Sequence, residues 1–160
     1  MYVNQFHTSE TVFSVYFAVT SAFAAAGPLI YARLKNKNFR KIVWISHGVA
    51  AVAGGLLLTI GNLHPALFLL SFIPFPIMGT SLRTYMSELL LNAQEENIGA
   101  AAAAMNFGYT ILGSLGMVVG SLPWSSYVSG LAYTIFIFAV IALSIFVTMS
   151  KLKVFQTLKA

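Results

Sequence analysis

Arg33-Leu34-Lys35-Asn36-Lys37-Asn38-Phe39-Arg40-Lys41 packs a run of cations between two apolar stretches, and the other Lys and Arg residues fall in step with it. The apolar stretches cover 11–32, 42–61, 66–86, 99–121 and 127–149, each close to the ~20 residues that carry an α-helix across a ~30 Å hydrocarbon core. Alternating the connections puts Arg33, Lys35, Lys37, Arg40 and Lys41, then Arg83, then Lys151, Lys153 and Lys159 on one side. The connections at 61–65 and 122–126 hold no Lys or Arg. Cationic loops are retained on the cytoplasmic face, so the pattern predicts a multi-pass protein with its N-terminus outside and its C-terminus inside. It divides the chain into an external segment, 1–10, a transmembrane domain of five helices, 11–150, and a cytoplasmic tail, 151–160.

Composition points the same way. Charged residues make up 8% of the chain, against about 25% in soluble domains, too few to build a water-facing surface. Backbone groups in lipid must find partners within the fold, and ~20-residue apolar runs do so as helices, whereas barrels use ~10-residue alternating strands. The expected fold class is therefore an all-α membrane protein. The net charge of +5 lies in short clusters beside the apolar runs, which suits anionic lipid headgroups rather than nucleic acid. The bilayer is thus the first expected partner, with Arg33, Lys35, Lys37, Arg40 and Lys41 at its headgroups. The chain contains no cysteine, which excludes disulfides, thiolate metal sites and thiol nucleophiles. The first ten residues carry no cation and the first apolar run is longer than a signal-peptide core, so the whole chain reads as mature sequence.

The first run carries Phe13, Tyr16, Thr20, Phe23 and Gly27 at helical spacing on one face, with Ser14, Ala18 and Ala25 nearly opposite. Rings with hydroxyls suit a cavity for apolar or cationic molecules, and they also suit lipid. The small face suits close contact with another helix. Gly27 and Pro28 loosen the end of this helix. In the third run Pro74 and Pro76 remove two backbone donors, so a kink is expected at 70–72, either a hinge or a static packing bend. Gly79, Thr80 and Ser81 extend the weak helix-forming stretch and favour mobility. Arg83 is placed to snorkel to the interface near Glu88, with a substrate role as the alternative.

The fourth run aligns Asn106, Thr110, Gly113 and Met117 on one stripe with Tyr109 at its shoulder. The Asn106 amide needs a partner in the bilayer, from a water-filled path or an interhelical hydrogen bond. Gly108, Gly113, Gly116 and Gly120, with the alanine run 100–104, predict close approach of this helix to another backbone, in this chain or in a second copy. The chain has no Asp, and Glu10, Glu88, Glu95 and Glu96 all sit near helix ends, so no carboxylate is expected at mid-depth. His47 reads as interfacial, and His7 and His64 are too separated for a metal site. No catalytic constellation, metal site or cofactor motif stands out, and no enzymatic activity is expected.

Tyr2-Val3-Asn4-Gln5-Phe6-His7-Thr8-Ser9-Glu10 leading into Phe13 and Phe17, then Gly27-Pro28 and the basic loop 33–41, resembles the C-terminal half of major facilitator superfamily transporters. The nearest likeness is to the Bcr/CflA-type drug-efflux branch, whose Ala/Gly-rich eleventh helix is similar to Asn97-Ile98-Gly99-Ala100 and onward to Gly120. On that match the five runs correspond to helices eight to twelve of twelve. The basic loop departs from the superfamily's Gly-x-x-x-Asp-Arg pattern: Tyr31 stands four residues after Gly27 and Arg33 falls one place late. The resemblance implies a substrate cavity lined by Tyr16, Thr20, Pro74, Pro76, Asn106 and Tyr109, with the second and fifth helices away from it. It also implies secondary active export of small amphipathic or drug-like compounds across a bacterial cytoplasmic membrane, with an N-terminal half needed to complete the transporter. Five crossings fit such a partial bundle better than a self-contained one. The alternatives from the residues alone are a small accessory or assembly membrane protein associating through its glycine-rich helix, and a homodimeric exporter.

Overall fold

The computed structural model describes residues 6–34, 38–92 and 96–151, except for the side chain of Leu34. Among these there is no strand. The helices are α1 (Glu10–Ala25), α2 (Gly27–Leu34), α3 (Phe39–Thr59), α4 (Pro65–Phe72), α5 (Pro74–Asn92), α6 (Ile98–Gly120) and α7 (Tyr127–Lys151). They amount to five spans long and apolar enough to cross a membrane: Glu10–Arg33, Phe39–Thr59, Pro65–Asn92, Ile98–Gly120 and Tyr127–Lys151. The Lys35 and Lys37 headgroup assignments, most of the 1–10 segment and the tail beyond Lys151 lie outside the described residues.

Local chemistry starts the helices. Ser9 caps α1 by accepting the Val12 N–H at 3.3 Å. Asn38 Oδ1 accepts the Arg40 N–H at 2.9 Å, and His64 Nδ1 accepts the Ala66 N–H at 3.2 Å, with Pro65 in the first turn. Each satisfies a donor that the first helical turn leaves open. Proline interrupts two spans. Pro28 divides the first at Ala26, and Pro74 with Pro76 divides the third at Ile73, just past the 70–72 expected from sequence. The break falls there because Ile73 still donates to Leu69 at 2.9 Å; the donors first lost are those of the prolines themselves.

The third span also continues past residue 86 to Asn92. Leu82, Met86 and Leu89, spaced by four and three, pack on a cluster of Ile42, Met78 and Tyr85, so burial carries the helix beyond the end of its continuous apolar run. A second cluster joins Ala50, Leu57, Phe68, Val128, Ala132 and Ile135. The first and third spans make the most extensive contact, followed by the second against the fifth. The second, third, fourth and fifth spans contact one another in a closed order, and the first leans on the third. The fourth is held lightly, and none of its residues is buried.

The ends of the bundle separate as the alternation of charge requires. At one end Phe39 stacks on Tyr85 at 6.3 Å and meets Phe146 edge-on at 5.7 Å, which gathers the start of α3 with the ends of α5 and α7. Arg40, Lys41 and Lys151 belong to these termini, and Arg33 to the end of α2. At the other end Ser126 Oγ donates to Asn62 Oδ1 at 2.7 Å, and Asn62 Nδ2 donates to Ser129 Oγ at 3.2 Å. The two connections without Lys or Arg are therefore tied directly together.

Candidate functional site

The first span meets the third at a crossing built by a missing hydrogen bond. Pro28 has no N–H to donate to the Ala24 carbonyl four residues back. Thr80 Oγ1 donates to that carbonyl instead, at 2.7 Å, and the fully buried Ser81 donates to the Gly27 carbonyl at 2.7 Å. The chains can come this close because Gly27 has no side chain: a Cβ there would fall on Thr80 Oγ1 and stand 2.8 Å from the Ile77 carbonyl oxygen. Thr80 and Ser81 therefore tie two spans together, a role that reading the stretch as weak helix formers did not include. Low helix propensity was a poor guide because these hydroxyls find acceptors on another helix.

The crossing decides which face of α1 is inward. Tyr16 packs on the main apolar cluster and Thr20 is half-buried, its hydroxyl donating to the Tyr16 carbonyl at 2.9 Å. Phe13, Phe17 and Phe23 are exposed, and so are Ser14, Ala18 and Ala25. The small face thus makes no close helix contact among the described residues, contrary to expectation; the side bearing Tyr16, Thr20 and Gly27 does. Pro74 and Pro76 are half-buried at the break in the third span.

The other candidates gather on the fourth span. Arg83 lies over the Tyr109 ring, its guanidinium carbon 4.8 Å from the ring centroid. Tyr109 is eleven residues from both Ile98 and Gly120, about 16 Å from either end of its helix. The guanidinium is thus drawn toward mid-span instead of extending to the interface beside Glu88, and among the described residues Arg83 makes no ion pair. Asn106, one helical turn before Tyr109, is exposed. Its carboxamide makes no hydrogen bond to a described residue, while Thr110 and Ser114 satisfy their hydroxyls on their own helix at 2.9 Å each. Arg83 and Tyr109 were separate readings in the sequence. Their union depends on how the third and fourth spans dock, which no spacing within either helix reveals.

The glycines of this helix do something other than expected. Apart from its own helical turn, a Cβ built on Gly108, Gly113, Gly116 or Gly120 would have no heavy atom within 4 Å. None of the four brings α6 against a backbone within the described chain. Close approach occurs at Gly27, at Gly54 against the Phe136 ring (2.9 Å), and at Gly130 beneath Trp124. The physical reason is the light packing of the fourth span, which turns its small residues away from its neighbours. Elsewhere, His47 Nδ1 donates to the Val43 carbonyl at 2.7 Å, holding the ring on its own helix. Among the described residues, no three His, Cys, Asp or Glu side chains come together.

Comparison of the chain with protein-family models, with curated proteins and with solved structures gave no match.

Proposed function

We propose that this chain is the C-terminal part of a secondary active transmembrane transporter, exporting small amphipathic or drug-like compounds and working only with an N-terminal half. The observation that carries the reading is the open face of Arg83, Tyr109 and Asn106. An arginine at the middle of a membrane helix costs about 2.5–3.5 kcal/mol on insertion scales, and a cation–π contact returns only about 0.5–2 kcal/mol. The contact with Tyr109 therefore leaves a deficit, to which the unpaired Asn106 amide adds. Lipid cannot make up the difference. Water in a cavity, or polar groups on a second bundle, can.

The packing supports the same division of labour. The resemblance sets the second and fifth helices away from the cavity, and these two pack extensively on each other. The fourth helix, set against the cavity, has no buried residue. The basic end faces the cytoplasm in this reading, with the N-terminus outside, in a bacterial inner membrane. Its partners are the bilayer, the N-terminal half and a small-molecule substrate.

A second reading draws on the uncovered glycines. Gly113, Gly116 and Gly120 leave room on α6 for another helix, as an accessory protein associating with itself or a neighbour would need. One experiment addresses both. The chain has no cysteine, so Asn106→Cys creates a unique thiol. Co-expressed with a candidate half of about seven helices, this variant should react with a small polar thiol reagent and be protected by substrate, and the pair should lower drug accumulation in cells. A thiol that stays inert in every access state, with accumulation unchanged, would leave only the associating role.

A further inference from the structure

At the basic end, the start of α3 and the end of α7 border an open groove of about 340 Å³, lined by Arg40, Trp44, Phe146, Val147, Ser150 and Lys151. We infer that this groove binds a single anionic glycerophospholipid. Its phosphodiester is held between Arg40 and Lys151 with the Ser150 hydroxyl as a further donor, and an acyl chain lies along Trp44, Phe146 and Val147. The inference does not depend on the transporter reading.

The most specific indication is Ser150. Its Oγ is closed off from solvent and has no hydrogen-bond partner among the described residues. The neighbouring hydroxyls on the same helix behave differently: Ser144 donates to Val140 and Thr148 to Ser144, both at 2.8 Å. A shielded hydroxyl that does not bond back to its own helix carries an unmet desolvation cost, which an acceptor oxygen removes once the side chain turns into the groove. The two cations supply the rest of the head site. Both are exposed, and no carboxylate lines the groove to neutralise them. Arg40 also stands in the first turn of α3, where the Asn38 cap fixes the backbone; the positive end of that helix is offset by the negative end of α7 across the groove, so the two side-chain cations carry the attraction for an anion.

The apolar wall distinguishes a lipid from free phosphate. Phe146 is buried and braced edge-on by Phe39 at 5.7 Å, so this side is rigid. Trp44 and Val147 are exposed beside it, an indole at interface depth with an aliphatic neighbour, where an acyl chain leaves its headgroup. A zwitterionic lipid brings a third cation to a head site that already has two. A net-negative one does not.

The test uses the full chain in dodecyl maltoside with Trp124→Phe, which leaves Trp44 as the sole reporter of the two tryptophans. Dioctanoyl phosphatidylglycerol should change Trp44 fluorescence saturably at one lipid per chain, and dioctanoyl phosphatidylcholine should bind about tenfold more weakly. Arg40→Gln and Lys151→Gln should each weaken phosphatidylglycerol about fivefold, the double variant about twenty-fivefold, and Arg40→Lys little. Native mass spectrometry of the wild-type chain with the same two lipids repeats the comparison without the tryptophan change. Equal binding of the two lipids, or wild-type affinity in the double glutamine variant, would overturn the head site. Displacement of the lipid by inorganic phosphate at equal concentration would overturn the acyl contact and the proposal with it.

Discussion

Replacing Gly27 by alanine tests the crossing on which the position of the first span depends. The added methyl would stand 2.8 Å from the Ile77 carbonyl oxygen and 2.9 Å from Thr80 Cβ, besides colliding with Thr80 Oγ1. The hydroxyl can rotate away, but the carbonyl belongs to a helix backbone, so the two spans must part by a few tenths of an ångström. Overpacking of this kind costs about 1–3 kcal/mol. Parting also breaks the Thr80 to Ala24 bond, and Pro28 leaves the Ala24 carbonyl without its helical donor; an interhelical bond in a membrane protein contributes about 0.6 kcal/mol on average and up to about 1.7. Alanine returns about 1 kcal/mol of helix propensity, for a net loss of about 0.6–3.7 kcal/mol. Thr80→Ala alone should cost about 0.6–1.7 kcal/mol. In the double variant the hydrogen bond is lost only once, so its cost should fall short of the sum by about that same 0.6–1.7 kcal/mol. Titration from dodecyl maltoside into dodecyl sulfate, followed by helical circular dichroism, measures all three variants. A Gly27→Ala protein at or above wild-type stability would refute the close crossing, and a cycle additive to within about 0.5 kcal/mol would refute the part assigned to Thr80.

Single cysteines at Leu63 and Leu122, in the connections free of Lys and Arg, should be labelled from outside intact cells, and one at Asn36 should not; the reverse pattern refutes the orientation. Gly116→Leu should leave the monomer as stable or up to about 1 kcal/mol more stable, since the site is open and leucine is the better helix former. A loss above about 1 kcal/mol in the same titration would mean that α6 is covered within the chain, whereas loss of a detergent-resistant dimer would favour the associating reading. Gly130→Ala meets the Trp124 ring and should cost about 1–3 kcal/mol with a change in Trp124 emission; an unaltered spectrum would show that the indole does not rest on that glycine.

The span count and the placing of Arg33, Arg40, Lys41 and Lys151 at one set of helix ends were legible in the sequence because the cost of exposing backbone or charge to lipid acts on each segment separately. The periods within 42–61 or 127–149 needed no knowledge of a neighbour. Proline breaks were legible for the same reason, since Pro28, Pro74 and Pro76 each act on their own helix, and the third-span break lay only just past its expected place. What failed was pairing. Glycine on a helix says that something can come close, without saying whether it does: Gly27 and Gly130 are filled by a neighbour, while Gly116 and Gly120 are open. Thr80 and Ser81 looked like weak helix formers, yet their hydroxyls answer acceptors on Ala24 and Gly27, more than fifty residues away.

The candidate site divides along the same line. Asn106 and Tyr109 could be marked from the stripe they share on one helix, since a polar group in an apolar run needs a partner wherever it lies. Arg83 could be marked too, but its direction could not. Toward the interface it is a lipid anchor; over Tyr109 at mid-span it turns an aromatic face into a cationic one, and α5 and α6 must dock before that choice is made. A consequence follows for what the face receives. An aromatic ring already covered by the protein's own guanidinium is closed to a cationic ligand on that side, so α6 presents a positive charge at Tyr109, and the reading of apolar or cationic cargo is left to the ring-bearing face of α1 from which it was drawn.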